Sequence, residues 1–207
     1  MSRWILPLAL TAVAGLSLAE DKPAERPKPE PDTTPLELTI TGKTTKYSLE
    51  TGGQSSADYA KQVEEAGKGG RPTPTPVIDL AAEIKNTSDK PIQVWTTGDP
   101  VLLTLTVKGK GALNLDPPIA FTEEFRLPKA VEIEAGKTHT IPLKSLTSGF
   151  RSRSHYSYWT EPGEHEIVAT LKTGVSPAPK GAKETMDGFG TVMLTSPAFR
   201  VAAEEKK

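Results

Sequence analysis

One short stretch of the chain concentrates side chains that are suited to binding a ligand. Residues 151–167, RSRSHYSYWTEPGEHEI, hold two of the three histidines, two of the four tyrosines and one of the three tryptophans. Aromatic rings stack on sugar rings and grip peptides, and arginine adds a fork of hydrogen-bond donors. The stretch is therefore a candidate binding surface, formed by Arg151, Arg153, Tyr156, Tyr158 and Trp159.

The same stretch also has a structural interpretation. In an extended strand, Tyr156 and Tyr158 share one face, whereas His155 and Trp159 share the other. We expect Trp159 to cover the end of the core, because large aromatic side chains are usually buried. Packing at a corner of the core is thus favoured over a binding platform.

His165 is a candidate for a pH-sensitive switch, a metal ligand or a structural corner. In a regular strand Glu164 and Glu166 point to the opposite face of the sheet, so they do not converge with His165 on one ion. His139 and His155 stand at no recognisable ligand spacing from it. We predict no metal and no cofactor, and a hydrogen-bonded corner made of three residues: Pro162, Gly163 and His165.

Residues that carry enzymatic chemistry form no recognisable motif. The sequence contains no Gly-x-Ser-x-Gly elbow, no cysteine and no glycine-rich phosphate loop after a strand. Acidic residues such as Glu132 and Glu134 alternate outward along a predicted strand, which is typical of a solvated sheet face. We therefore predict that the protein is not an enzyme.

Apolar and polar residues alternate along many short segments, as in Leu36, Leu38 and Ile40, and this period of two predicts strands. Turn-forming residues separate them, for example Gly136-Lys137. Short strands without a βαβ rhythm predict a two-layer antiparallel immunoglobulin-like β-sandwich, an all-β fold. The predicted strands are 36–41, 77–85, 92–94, 101–107, 119–127, 130–134, 138–143, 165–172, 189–195 and 198–202.

Two further segments are candidate sites outside the strands. Ser55 or Ser56 is suited to cap a helix that ends at the glycines from Gly67 onward, which predicts a helical insertion at about 55–67 within an excursion over 46–76. This excursion is either a cap over one open end of the sandwich or a partner site. The long connection 173–190 is either a binding loop or a mobile connector.

The start of the chain predicts export. Residues 1–19 have a basic beginning, an apolar stretch and a small-x-small ending, which indicates a signal peptide and a periplasmic or extracellular protein without a membrane anchor after cleavage. Residues 20–35 are rich in proline and charge and predict a disordered linker. The sandwich then spans 36–203 and a charged tail 204–207. The net charge of −1 gives no reason to expect a nucleic-acid partner.

Three segments, LAAEIKNTSDKPIQVW, VEIEAGKTHTIPL and YWTEPGEHEIVATL, resemble successive signatures of secreted bacterial immunoglobulin-like sandwich proteins. More distantly they are similar to the BsuPI-type (intracellular proteinase inhibitor) domain. The resemblance covers about residues 77–172 and implies the fold more than an activity. His165 stands where tyrosine is usual, and no reactive loop is matched, so no inhibitory residue is implied.

These observations favour an exported noncatalytic β-sandwich that binds an unidentified protein or envelope polysaccharide. One alternative is a carbohydrate-binding module that uses Tyr156, Tyr158 and Trp159. Another alternative, implied by the distant resemblance, is a proteinase inhibitor.

Overall fold

The computed structural model describes residues 26–99, 101–117, 125–150 and 153–206, with only the backbone for 150 and 153. The predicted signal peptide 1–19, the first part of the predicted linker and most of the predicted strand 119–127 lie outside these ranges. Within them, no helix is long and apolar enough to span a membrane.

The described residues form fourteen strands, one α-helix and a 3₁₀ turn at Met186–Gly188. They are β1 (Leu36–Thr41), β2 (Lys46–Leu49), α1 (Ser56–Lys68), β3 (Val77–Asn86), β4 (Ile92–Thr97), β5 (Leu102–Gly109), β6 (Ala112–Leu115), β7 (Lys129–Ile133), β8 (Thr138–Ser145), β9 (Thr147–Phe150), β10 (Arg153–Trp159), β11 (Gly163–Ser176), β12 (Lys183–Glu184), β13 (Gly190–Thr195) and β14 (Phe199–Glu205).

Two sheets form the layers of the sandwich. The first sheet has the order β1-β3-β8. The second is built on β11, which pairs with β14 and then β13 along one edge and with β5 and then β4 along the other. β7 extends this sheet beyond β4, β12 extends it beyond β13, and β2 pairs with β14 in parallel. The remaining pairings within the two layers are antiparallel.

The core lies between these two sheets. Leu38 and Leu80 of the first layer belong to the same buried cluster as Leu105 and Ile167 of the second. Burying such alternating apolar faces against each other is what stabilises a two-layer domain. The predicted antiparallel immunoglobulin-like β-sandwich with one short helical insertion is thereby confirmed.

A third sheet, β6-β10-β9, lies along the outer edge of β5. Side chains of this sheet, and not its backbone, form hydrogen bonds with the backbone of β5. The Leu105 amide donates to Ser148 Oγ over 2.8 Å, and Ser157 Oγ donates to the Leu105 carbonyl over 2.8 Å. Asn114 accepts from the Val107 amide and donates to the Val107 carbonyl, each over 2.9 Å. The backbone amides and carbonyls of Leu105 and Val107 are thus satisfied by side chains instead of a neighbouring strand.

The helix begins and ends close to where its capping residues predict. Ser55 is the N-cap and accepts from the Asp58 amide over 3.2 Å, and the helix ends before Gly69. Val63 is fully buried, and Gly67 lies against the side chain of Leu115 in β6. One side of α1 therefore packs on the sandwich.

Residues 26–35 lie against the sandwich, although their composition predicts a disordered linker. Glu30 and Met193 exchange two backbone hydrogen bonds of 2.8 Å, and Thr33 Oγ1 donates to the Lys180 carbonyl over 2.6 Å. Thr34 is buried. Main-chain hydrogen bonds hold this segment, and they do not depend on apolar side chains.

Several elements differ from the strands that alternation predicts. β2, β6, β9 and β12 are short strands that the sequence does not indicate, and β11 is longer than predicted at both ends. Residues 125–127, the described end of the predicted strand 119–127, are not in a strand. At the other end of the chain β14 includes Glu204 and Glu205, which pair with β2 instead of forming part of a tail.

Candidate functional site

Two of the aromatic residues predicted for the binding surface lie in the interior. Tyr158 is 0% exposed and Trp159 is 1% exposed. The Tyr158 hydroxyl donates to the Thr73 carbonyl over 2.7 Å, and the indole of Trp159 stacks on Tyr47 with ring centroids 5.6 Å apart. The predicted binding surface is therefore corrected: Tyr158 and Trp159 do not face solvent, because their aromatic rings pack in the interior.

The other predicted surface residues are not assembled with them. Tyr156 is half-buried on β10, where it pairs with Leu115 of β6 and Thr147 of β9. Arg153 begins β10, and Arg151 lies outside the described residues. An exposed platform of Tyr156, Tyr158 and Trp159 is therefore absent from the described structure.

The predicted corner lies at the start of β11. Pro162 precedes Gly163, whose φ of +139° is open to glycine but strained for other residues. His165 is 2% exposed, and its Nε2 lies 3.1 Å from the Glu161 carbonyl. Since a carbonyl only accepts, Nε2 carries the proton, and Nδ1 is buried without a partner among the described residues. The imidazole thus binds backbone four residues upstream, the contact expected of a corner residue.

His155 forms a second histidine contact on β10, the central strand of the third sheet. Its Nδ1 lies 2.8 Å from Asp116 Oδ1, and its Nε2 is buried with no hydrogen-bond partner in the described part of the chain. Asp116 is largely exposed. No cluster of three or more His, Asp or Glu suited to a metal occurs among the described residues. The pair joins β10 to the end of β6.

The aromatic pocket, as we name it, lies between β2, α1 and the chain leading into β3. It encloses about 400 Å³, and its wall includes Leu49, Glu50, Tyr59, Pro76, Val77 and Trp159. Trp159 therefore contributes to a pocket although almost none of its surface reaches solvent. A pocket of this size falls in the range that binds small molecules.

The apolar cleft, our second named feature, lies at the end of β4 and β5. It encloses about 740 Å³ and is lined by residues that include Val101, Leu103, Phe125, Leu127 and Lys129. Phe125 is 65% exposed and Leu127 is 73% exposed. Large apolar side chains grouped at a surface in this way are typical of an interaction site.

The segment that carries Phe125 and Leu127 is fixed by hydrogen bonds. The Arg126 amide donates to Asp99 Oδ2 over 2.6 Å, and the Asp99 amide donates to the Arg126 carbonyl over 3.0 Å. Gly98 has a φ of +101°, and a Cβ at this position would overlap the backbone of Pro128. Glycine thus permits the close approach that holds the segment beside the β4 turn.

The connection 173–190, predicted as a possible binding loop, contains structured pieces. Its first residues continue β11 to Ser176, and it also holds β12 and the 3₁₀ turn. Beside its first residues, Trp95 stacks on Phe189 with ring centroids 4.5 Å apart. It contributes neither to the aromatic pocket nor to the apolar cleft.

Sequence reasoning did not select the residues that line these two cavities, apart from Trp159. Tyr59 is visible in the sequence only as one member of a helix face with Val63. Phe125 and Leu127 fall in a segment predicted as a strand, where alternation would place them together on one face. Neither cavity has a sequence motif, because each is formed by elements distant in the chain.

No family model matches the chain, and no curated protein matches it by sequence. One similar solved structure is the cupredoxin domain of amoB from Nitrosocaldus yellowstonii, at 11% identity and a TM-score of 0.27, covering 82% of this chain and 86% of that one. Another is the human CEP192 ASH/PapD-like domain (PapD-like domain 7), at 12% identity and a TM-score of 0.27, covering 96% of this chain and 100% of that one. At these TM-scores neither likeness bears on function.

Proposed function

We propose that the chain is an exported, noncatalytic β-sandwich that binds a protein of the cell envelope through the apolar cleft. The sandwich fold is consistent with a binding module. The observation that carries the proposal is the exposure of Phe125 and Leu127 beside the partly buried Val101 and Leu103. Exposed apolar side chains around a groove provide the desolvated centre that protein interfaces require.

The cleft is pre-organised for such a partner. Because Asp99 holds the backbone of Arg126, the flanking side chains are presented with a smaller loss of backbone entropy on binding. Lys129 adds a positive charge to the rim. The partner that fits these features is a protein segment with an apolar anchor residue and an acidic flank.

Export rests on the amino-terminal sequence, with cleavage before Glu20. It is tested by expressing the chain with its own amino terminus in a Gram-negative bacterium and measuring the mass of the purified product. A product in the periplasm or medium that begins at Glu20 is expected. A chain that retains Met1 and stays in the cytoplasm would refute export.

The cleft is tested by placing a photo-crosslinking phenylalanine analogue at position 127 in exporting cells. We expect one discrete adduct with an envelope protein, lost when Phe125→Ser is added. Position 186 is the control, since Met186 is 39% exposed and lines neither the cleft nor the aromatic pocket. Equal adducts from positions 186 and 127, or none from 127, would contradict the proposal.

A second proposal is proteinase inhibition. Its only support is the resemblance of the three sequence segments to the BsuPI-type domain. It predicts a dose-dependent loss of activity of exported proteases when the purified chain is added. Unchanged activity across a panel of such proteases would exclude it.

A further inference from the structure

The aromatic pocket has the features of a small-ligand site and lies on a different set of elements from the apolar cleft. β2 supplies Leu49, α1 supplies Tyr59, and the extended residues before β3 supply Pro76. The helical excursion thus provides one wall of the pocket and the sandwich provides another.

One hydrogen-bond donor at this pocket has no partner in the described part of the chain. Tyr59 of α1 is partly buried, and its hydroxyl makes no hydrogen bond to any described residue. Trp159 contributes apolar ring surface only, because its Nε1 is enclosed by protein atoms. A partly buried donor without an acceptor is available to a ligand oxygen.

A carboxylate faces the same space. Glu50 lies on the wall and pairs with Lys206 over 2.7 Å, and both side chains remain well exposed. Glu50 and Tyr59 line the same pocket. Burial raises the pKa of Tyr59, and the Glu50 carboxylate raises this pKa further. A carboxylate accepts hydrogen bonds from hydroxyl groups, and its ion pair with Lys206 leaves no net charge on this wall to bind a charged ligand.

The other walls are apolar. Leu49 is buried, whereas Val77 is 78% exposed beside Pro76. The ring of a neutral sugar matches this mixture, because it has an apolar face of C–H groups and an edge of hydroxyls that both donate and accept.

We infer that the aromatic pocket binds a neutral sugar residue. The C–H face of the sugar lies on Pro76 and Val77, one of its oxygens accepts from the Tyr59 hydroxyl, and one of its hydroxyls donates to Glu50. This site differs from the exposed aromatic platform that the sequence predicts, because Trp159 only forms the inner wall and Tyr156 and Tyr158 take no part.

Saturation-transfer NMR on the intact chain tests this inference with three neutral probes, N-acetylglucosamine, glucose and galactose. We expect a saturable signal from the ring protons of at least one probe, and a weaker signal from glucuronic acid because the ion-paired wall offers no unpaired positive charge to its carboxylate. Tyr59→Phe and Glu50→Gln are each expected to weaken binding by about 10-fold, the effect of losing one hydrogen bond.

Matched controls separate ligand contact from folding. Tyr156→Phe removes a tyrosine hydroxyl elsewhere, and Lys206→Met breaks the ion pair but keeps the carboxylate; both are expected to leave affinity within about 2-fold, as for surface changes. Phe125→Ser in the cleft should leave sugar binding unchanged. The inference is overturned if no neutral probe gives a saturable signal, or if the signal is equally strong in Tyr59→Phe and Glu50→Gln.

Discussion

At the scale of single residues, Trp159 belongs to the core, lies beside His165 of the β11 corner and lines the aromatic pocket. Its indole stacks on Tyr47 and lies 6.0 Å from the ring of His165, measured between centroids. Trp159 is expected at the end of the core because of its large apolar ring, and it lies there. What the sequence does not reveal is its neighbour Tyr47, which comes from a short strand that alternation does not indicate.

Replacing Trp159 with alanine is expected to destabilise the protein strongly. Removing a buried tryptophan costs about 3–5 kcal/mol. For a chain of this size each kcal/mol lowers the melting temperature by about 2–4 °C. A drop on the order of 10 °C in circular dichroism melting is therefore expected, with a smaller drop for Tyr156→Ala. An unchanged melting temperature would show that the indole is not in the core.

Asp79 provides a pH-dependent prediction. Its hydrogen bond from Lys144, together with the positive charge of Lys144, holds its pKa below the ordinary 3.8. The stabilisation from this pair is present above pH 3.8 and is lost as the pH falls through the lowered folded-state pKa. In Lys144→Met the carboxyl pKa should rise toward 3.8 in a carbon-13 NMR titration. The pairing would be refuted by an Asp79 pKa that is the same in both proteins.

At the scale of elements, alternation indicates the strands that face the core and misses those that do not. β1, β3, β5 and the centre of β11 each present one apolar face to the core, so a period of two is visible in their sequences. β6 and β9 contain four residues each and are held by strand pairing with β10, which leaves no such pattern.

The side chains that close the edge of β5 should matter as much as core residues. Asn114→Ala leaves the amide and the carbonyl of Val107 without partners, at about 1–3 kcal/mol for each buried group. Thr106→Ala is the control, because Thr106 lies on the same strand and its side chain makes no hydrogen bond to a described residue. We expect Asn114→Ala to lower the urea-unfolding free energy by about 2–4 kcal/mol and Thr106→Ala by much less. Equal losses would show that the edge contacts contribute nothing.

At the scale of the whole molecule, residues near both ends of the described chain belong to the second layer or pair with it. The segment before β1 binds β13 through Glu30, and β14 near the other end binds β2. Composition predicts the polar character of residues 20–35 but not the pairing of Glu30, because backbone groups of any sequence can pair with an available strand edge. The cavities are likewise properties of the assembled sandwich.

The contact of the amino-terminal segment is tested by hydrogen exchange. The Met193 amide donates to the Glu30 carbonyl over 2.8 Å. In a chain that begins at Leu36 this amide should exchange much faster than in a chain that begins at Arg26. Leu171, in the centre of β11, should keep its slow exchange in both chains. Equal protection of Met193 in the two chains would mean that the segment does not bind β13.

The parallel pairing of β2 with β14 also sets the order in which the domain is completed. Lys46 of β2 pairs with Glu204 of β14 over 2.7 Å, across a separation of 158 residues along the chain. Contacts at such separations close late and slow folding, because a long loop must be ordered first. β2 therefore stays unpaired on this side until β14 is folded, so closure of the second layer is a late step in folding.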